Sequence, residues 1–409
     1  MNNKFLKVTS VLFASMLLLG VAGCNDTSNE NTGYDGKVFD ISVAQDNSVK
    51  ATIAKVDKNF EITISGSGEA ISYNKKELVP WNAISKKISK VTIEEGITNI
   101  GDYYFSSSTL SSYYVPSTVT KIEANSFNTA AVIYSYSKEA IDVKCDNEVY
   151  LYSETKPEVY GEYWHKIGDA TIVWDLYKMM FIGNSFTFFP SDLFSVENPA
   201  VCALSKEIGQ SLGIDLEIDF VVKGAHTLKK FANKNDEMGA IVDEKLRAAN
   251  DYDYIVLQEH STTPVNDYKS FSSGVESLVA KIEETQDNCE IYLYSTWGFP
   301  SAVSETSIFS SVKVMEGLIR DAYHQCASEN ELKVSDVGKA FTEVYEKHPE
   351  INLYWTDDKH QGYTGAFLSS CVHISTIFGV DVRNSSFKGE LDETTANTLK
   401  ETAYKVVFE

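Results

Sequence analysis

The chain has 409 residues, with 36 Lys and Arg against 58 Asp and Glu, so its formal net charge at pH 7 is −22. This length favours roughly two or three domains. Hydrophobic residues make up 43% of the chain, which is enough for packed cores and excludes wholesale disorder. The negative charge excludes sequence-independent binding to nucleic acid or anionic lipid, because both would repel the chain.

The amino terminus predicts an exported protein. Lys4 and Lys7 precede an apolar run over residues 8–21, and small residues then lead to Cys24. This pattern resembles a bacterial lipoprotein signal, which implies a signal peptide over residues 1–23, cleavage before Cys24 and lipidation of that cysteine. A plain secretory signal with an incidental cysteine is the alternative. We expect residues 24–36 to form a polar tether, and the lipid alone to anchor the mature chain in the bacterial cell envelope, surface-exposed or periplasmic.

Residues 37–174 predict a β-rich module, because short runs of β-type residues alternate polar and apolar side chains. Five apolar positions recur at a spacing of 22 residues (91 to 113): Val91, Ile93, Ile97, Ile100 and Phe105 return as Tyr113, Val115, Val119, Ile122 and Phe127. Such a repeat is typical of a solenoid, in which each turn covers the apolar face of its neighbour. The repeat resembles the BspA-type leucine-rich repeat, which implies either a module that binds a surface ligand or a structural spacer.

Residues 175–409 predict an α/β domain. Apolar runs that fit buried parallel strands alternate with amphipathic stretches of helical length, which is typical of a three-layer fold around a parallel sheet. The expected strands are 178–182, 216–222, 254–258, 290–294 and 332–336, and the expected helices include 199–212, 271–285 and 312–328. Because sites in such folds lie at the carboxyl ends of the strands, the polar residues found there are candidates for function.

Two short motifs lie at such positions. Gly183-Asn184-Ser185 follows the first strand, and Asp357-x-x-His360 precedes a helix that is expected to end near Phe378. A serine becomes a nucleophile when a histidine takes its proton, and a carboxylate three residues before the histidine can orient the imidazole. Taken singly, the first motif is compatible with an ordinary turn, and Asp357 and Asp358 are compatible with helix capping.

Taken together, the motifs resemble the SGNH (GDSL-like) hydrolase superfamily over residues 176–380. The match is closest to a subgroup that opens with Gly-Asn-Ser-Phe-Thr and carries Val256-Leu257-Gln258-Glu259-His260-Ser261 after the third strand. The resemblance implies a flavodoxin-like parallel sheet. It also implies that Ser185 is the nucleophile, His360 the general base and Asp357 the residue that orients His360.

The same resemblance implies an oxyanion hole. Its donors would be the backbone N–H groups of Ser185 and Gly224 and the side-chain amide of Gln258. The superfamily usually has Asn at the last of these positions, and Gln supplies the same donor on one more methylene group. Asn184 stands where the superfamily usually has Asp, which removes a charge beside the nucleophile.

These expectations describe an exported, lipid-anchored serine esterase that acts on small acyl esters, by analogy O-acetyl esters of carbohydrate, through an acyl-Ser185 intermediate. The alternative is a surface adhesin that binds glycan or protein and whose hydrolase-like domain is catalytically silent. The sequence has no Walker loop, HExxH or CxxC motif, so we expect neither a metal nor another cofactor. Five cysteines remain beyond Cys24, and the sequence does not assign their state.

Overall fold

The computed structural model describes residues 33–188, 194–249 and 251–409. The predicted signal peptide, Cys24 and most of the predicted tether lie outside these residues. Contacts between Cα atoms divide the chain into two compact units, one ending at His165 and the other running from Lys166 to Glu409. The module boundary that we expect between residues 174 and 175 stays a prediction. Within the described ranges, none of the helices combines the length and apolar character of a membrane span.

The first unit begins with a four-stranded sheet, in which β1–β2 and β2–β3 are antiparallel and β3–β4 is parallel. Its strands are β1 (Val38–Asp40), β2 (Val49–Val56), β3 (Asn59–Gly66) and β4 (Ile88–Ile93). The alternation of polar and apolar residues in β2 and β3 places one set of side chains in the core, as expected for strands with one covered face.

The chain then forms the coils of the repeat. Three very short strands make one parallel sheet in the order β5–β7–β9, and longer strands make a second sheet in the order β12–β11–β10–β8–β6. These strands are β5 (Asn99–Ile100), β6 (Ser112–Val115), β7 (Lys121–Ile122), β8 (Val132–Ser135), β9 (Asp142–Val143), β10 (Val149–Tyr152), β11 (Tyr163–Ile167) and β12 (Ala170–Val173).

The apolar residues that predicted the repeat form its core. Ile97, Ile100 and Phe105 are buried, and so are Val119, Ile122 and Phe127 one coil later. The rings of Phe105 and Phe127 stack with centroids 5.9 Å apart, which shows how equivalent positions of successive coils cover one another. The predicted solenoid-like, β-rich first module is therefore confirmed.

The second unit alternates strands with helices. Its elements are β13 (Leu176–Gly183), α1 (Ser185–Phe188), α2 (Ala200–Ser211), β14 (Asp215–Val222), α3 (Leu228–Phe231), α4 (Glu237–Ala248), β15 (Tyr254–Leu257), α5 (Thr263–Asn266), α6 (Tyr268–Thr285), β16 (Glu290–Tyr294), α7 (Val312–Glu329), β17 (Lys333–Ser335), α8 (Val337–Lys347), α9 (Tyr363–Phe378) and α10 (Glu393–Phe408). The five strands form one parallel sheet in the order β14–β13–β15–β16–β17.

This strand order is the flavodoxin-like order of a doubly wound sheet, so the predicted α/β fold is confirmed. Helix α9 packs against α2, α8 and α10, whereas α3, α4 and α6 pack against one another, giving a helical layer on each face. The central strands β13, β15 and β16 are largely buried on both sides, which explains their nearly continuous apolar sequences, whereas the edge strand β14 alternates polar and apolar residues. The direction of winding reverses between β13 and β15, and folds of this kind bind ligands at the carboxyl ends of such strands.

Candidate active site

Ser185 begins α1 directly after β13, at the carboxyl edge of the sheet. The turn requires Gly183, because a Cβ atom at that position would lie 2.6 Å from Thr187 Oγ1 and 2.8 Å from Gln258 Oε1. Asn184 then accepts hydrogen bonds at the start of α1, from Thr187 N to its carbonyl oxygen at 2.8 Å and from Phe186 N to its Oδ1 at 3.3 Å. The strand therefore ends in a tight, capped turn that presents a half-buried Ser185.

The structure brings Ser185, His360 and Asp357 together. Ser185 Oγ lies 2.8 Å from His360 Nε2, and His360 Nδ1 lies 2.6 Å from Asp357 Oδ2. The imidazole is thus placed between a hydroxyl and a carboxylate, as in a Ser-His-Asp triad. The side chain of His360 is 18% exposed and that of Asp357 is 41% exposed, so the acid lies at the solvent side of the arrangement.

The loop before α9 holds the Asp and the His. Both residues precede the helix, which begins at Tyr363. Trp355 N donates to the carbonyl oxygen of His360 at 2.7 Å and closes the loop. Asp357 Oδ1 accepts hydrogen bonds from Lys359 N at 3.2 Å and from His360 N at 3.0 Å. Asp357 therefore positions both the backbone and the ring of His360.

The hydrogen bonds of Asp357 also set its charge. Burial raises the pKa of this carboxyl, but the hydrogen bonds from the ring and backbone of His360 and from the Lys359 backbone outweigh that effect and hold the pKa below its ordinary value. Asp357 is therefore ionised at neutral pH. An ionised carboxylate at this position can stabilise the imidazolium that forms when His360 takes a proton.

A second contact joins this loop to the nucleophile turn. Gln361 Nε2 donates to the carbonyl oxygen of Ser185 at 3.2 Å, and Gln361 pairs with Tyr354 in an isolated antiparallel bridge. Gln361 is buried. The residue that follows His360 thus fixes the distance between the loop and the backbone of the nucleophile.

Gln258, the predicted side-chain donor of the oxyanion hole, follows β15 and is 1% exposed. Its Oε1 accepts hydrogen bonds from Asn184 N at 2.8 Å and from Thr187 Oγ1 at 3.1 Å. Its Nε2 donates to Asn184 Oδ1 at 3.0 Å and to the carbonyl oxygen of Glu259. Both N–H bonds of this amide are therefore used within the protein. The oxyanion role stays a prediction, and it requires the amide to exchange one of these partners.

Gly224, the predicted backbone donor, lies in the loop that follows β14. Lys223 N donates to the carbonyl oxygen of Gly183 at 3.2 Å, and Asn184 Nδ2 donates to the carbonyl oxygen of His226 at 3.1 Å. The loop is therefore attached to the nucleophile turn on both sides of Gly224. Ala225 has a left-handed backbone with φ of 56°, a conformation that costs energy for a residue with a side chain.

Sequence reasoning gave no role to Glu259, which the structure places beside Gln258 at the end of β15. Its carboxyl is fully buried and accepts hydrogen bonds from Leu228 N at 3.1 Å and His260 N at 2.5 Å. Burial raises the pKa of Glu259 to about 7, and the two backbone hydrogen bonds lower it only in part. Glu259 thus holds the start of α3 while Gln258 holds the nucleophile turn. The signal in the sequence was an acidic residue two positions after an apolar strand.

Across the described ranges, no group of three or more His, Cys, Asp or Glu side chains is arranged to hold a metal ion. The absence of a cofactor stays a prediction. The five cysteines of the described chain are free thiols: Cys145, Cys202, Cys289, Cys326 and Cys371.

Comparison with known proteins finds a family match within the first module. Residues 82–139 match the family model described as "BspA type Leucine rich repeat region (6 copies)". This match confirms the resemblance that the 22-residue spacing (91 to 113) indicated for these residues. No curated protein matches the chain.

Solved structures similar to the chain include SGNH hydrolases and esterases. A DUF4886 family protein from Bacteroides uniformis is 19% identical, with 57% of this chain and 95% of that chain covered and a TM-score of 0.48. A protein from Slackia heliotrinireducens assigned to the SGNH hydrolases is 19% identical, with 49% and 99% covered and a TM-score of 0.40. An acetylxylan esterase from Geobacillus stearothermophilus is 17% identical, with 52% and 95% covered and a TM-score of 0.37. Similarities at this level carry no argument about activity, which depends on the residues of the site.

Proposed function

We propose that the chain is a serine esterase that hydrolyses small acyl esters. The observation that supports this most strongly is the continuous arrangement of Ser185, His360 and Asp357: a contact of 2.8 Å joins Ser185 to His360, 175 residues away, and a contact of 2.6 Å joins His360 to Asp357. A hydroxyl group is a weak nucleophile until a neighbouring base takes its proton, and this geometry supplies that base together with the acid that orients it.

The mechanism follows from the positions of the three side chains. His360 Nε2 takes the proton of Ser185 Oγ as the oxygen attacks the acyl carbon, and the carbonyl oxygen becomes negatively charged. The backbone N–H groups of Ser185 and Gly224 are the proposed donors to that oxygen. His360 then gives the proton to the departing alcohol, which leaves an acyl-Ser185 ester. Water attacks this ester with His360 again acting as base, and the carboxylic acid and free Ser185 result.

The natural substrate that we propose is an O-acetyl ester of carbohydrate. The proposal rests on the predicted export of the chain, which would place the enzyme where it meets polysaccharide, and on analogy with esterases of the resembling superfamily. The repeat module would then bind a surface ligand or serve as a spacer. The predicted lipid on Cys24 would hold the protein in the bacterial cell envelope.

The activity is tested with the chain from residue 24 onwards, carrying Cys24→Ser to prevent lipidation. Release of acetate from 4-nitrophenyl acetate and from acetylated xylan is compared with that of Ser185→Ala. We expect the substitution to lower the turnover at least roughly a thousandfold, because the nucleophile is lost. Equal inactivity of both proteins on a broad ester panel, with binding of a glycan by the unsubstituted chain, would instead identify an adhesin with a silent hydrolase-like domain.

Lipidation is tested separately on the full chain. In a bacterial host fed an alkyne fatty acid, the chain should take up the label and partition with membranes, whereas Cys24→Ala should do neither. Labelling that persists in the Cys24→Ala variant would exclude Cys24 as the anchor.

A further inference from the structure

Lys359 lies beside the triad and has a fixed backbone. Its N–H donates to Asp357 Oδ1 at 3.2 Å, and its carbonyl oxygen accepts a hydrogen bond from Trp297 Nε1 at 3.0 Å. Its ammonium nitrogen lies 5.4 Å from the ring centroid of Phe299 and 5.9 Å from that of Phe186. The ring of Phe186 is also 5.4 Å from the ring of His360. The ammonium group and the catalytic imidazole thus flank the same aromatic side chain, one residue after the nucleophile.

Lys230 brings a second positive charge to this region from α3, which follows the loop that carries Gly224. Burial lowers the pKa of His260, and the positive charges of Lys359, His360 and Lys230 lower it further. His260 is half-buried and follows Glu259 at the end of β15. Lys359 lies in the loop before α9, whereas Lys230 lies in α3, whose first residue, Leu228, donates its N–H to the carboxyl of Glu259 beside His260.

Neither lysine forms an ion pair with the described part of the chain: no carboxylate there lies within 4.0 Å of the ammonium nitrogen of Lys359 or Lys230. The nearby acids have other partners or surroundings, since Asp357 binds His360 and Glu259 is buried between backbone N–H groups. Asp358 is exposed and pairs with neither lysine. Both ammonium groups are therefore available to a negatively charged ligand.

We propose that Lys359 and Lys230 form an anion subsite, so that the preferred substrate is an acyl ester whose alcohol portion carries a negative charge, such as an acetylated acidic sugar. This inference rests on the proposed esterase function. The acyl group in that function is small, so the charge belongs to the alcohol portion. Lys230 is exposed and Lys359 is partly exposed, so both ammonium groups stay hydrated until the anion arrives, and the buried rings of Phe186 and Phe299 support the stem of Lys359.

The test uses two esters that differ in one charge, 4-acetoxybenzoate and its neutral amide analogue 4-acetoxybenzamide. The ratio of their kcat/KM values measures the charge preference and cancels general effects on catalysis. An exposed ion pair contributes only a small free energy, so we expect Lys359→Met and Lys230→Met each to lower the ratio about two- to fivefold. Lys359→Glu should lower it further, and added salt should lower the ratio of the unsubstituted chain more than that of Lys359→Met.

Lys333→Met is the matched control. Lys333 starts β17, so it lies at the amino edge of the same parallel sheet, and it pairs with Glu290 at 2.8 Å. This substitution should leave the ratio unchanged. A ratio that neither Lys359→Met nor Lys230→Met changes would overturn the subsite while leaving the esterase proposal intact. Inactivity of the unsubstituted chain on both esters would overturn the esterase proposal and the subsite with it.

Discussion

Gln258 and Asn184 hold each other by two hydrogen bonds of opposite direction. Asn184 N donates to Gln258 Oε1 at 2.8 Å, and Gln258 Nε2 donates to Asn184 Oδ1 at 3.0 Å. Both residues are 1% exposed, so the loss of either partner leaves buried polar groups unsatisfied. Because Asn184 directly precedes Ser185, this pair fixes the backbone from which the nucleophile projects. An error of about 1 Å in that position is enough to slow a reaction of this kind roughly a hundredfold.

Gln258→Ala should therefore lower kcat for 4-nitrophenyl acetate about a hundredfold or more. A double-mutant cycle with Asn184→Ala separates the two explanations. If Gln258 acts through Asn184, the double variant should lose little more than the worse single variant, because Gln258→Ala already removes the side-chain hydrogen bond that Asn184→Ala removes. If Gln258 donates independently to the oxyanion, the two losses should add. An unchanged rate in Gln258→Ala would remove Gln258 from the site.

Gln286 offers a matched control for this experiment. It is also buried, and its Nε2 donates to the carbonyl oxygens of Leu246 at 2.7 Å and Ala249 at 2.8 Å. Its Oε1 accepts from Tyr252 N at 3.1 Å, just before β15 and so at the edge of the sheet opposite to the site. Gln286→Ala should lower stability about as much as Gln258→Ala and leave kcat unchanged. A comparable loss of kcat in both would show that the effect comes from the fold.

The central strands of the second unit were predictable because they are largely buried on both faces. The apolar run 254–258 corresponds to Tyr254–Leu257, and 290–294 corresponds to Glu290–Tyr294. A strand covered on both sides has a nearly continuous run of apolar side chains, so its signal in the sequence is local. The coils of the repeat were predictable for a related reason, since each coil buries the same positions.

The supporting contacts of the site were not predictable from local patterns. The pairing of Asn184 with Gln258 depends on the adjacency of β13 and β15, which only the fold establishes. In the sequence Glu259 is not distinguishable from an ordinary acidic residue after a strand. Its hydrogen bond from Leu228 N joins two segments that are 31 residues apart. Motif spacing gives the residues that react, whereas the residues that hold them depend on which loops meet at the edge of the sheet.

The two neighbouring acids of the loop before α9 should differ sharply in their effect on turnover. Asp357 binds the ring of His360, so Asp357→Asn removes the carboxylate that orients the imidazole and stabilises its charged form. We expect a loss of kcat on the order of a thousandfold or more. Asp358 has a left-handed backbone with φ of 52°, which Asn tolerates equally, and its carbonyl oxygen accepts from Ser301. Asp358→Asn should therefore keep nearly full activity on 4-nitrophenyl acetate, and the reverse ranking would show that Asp358 is the orienting acid.

The buried carboxyl of Glu259 should make stability depend on pH. Burial raises the pKa of Glu259 from the ordinary value of 4.5 to about 7 in the folded protein. Between these values the folded chain holds a proton that the unfolded chain has already lost, so the free energy of unfolding falls as the pH rises. A shift of this size corresponds to about 3 kcal/mol. The Glu259→Gln variant has no such proton. Its free energy of unfolding, measured by urea denaturation, should therefore fall less than that of the unsubstituted chain as the pH rises from 4.5 to about 7.

The difference between the two proteins is the quantity to measure, because other groups titrate in the same range. Burial lowers the pKa of His373 from the ordinary value of 6.5 to about 3. Between these values the unfolded chain binds a proton that the folded chain does not, so the contribution of His373 to the free energy of unfolding falls as the pH falls. It has the opposite sign to that of Glu259 but is present in both proteins, and it cancels in the difference. Glu283→Gln, on the exposed face of α6, should reproduce the pH dependence of the unsubstituted chain. Parallel curves for Glu259→Gln and the unsubstituted chain would mean that Glu259 is ionised in the folded protein well below neutral pH.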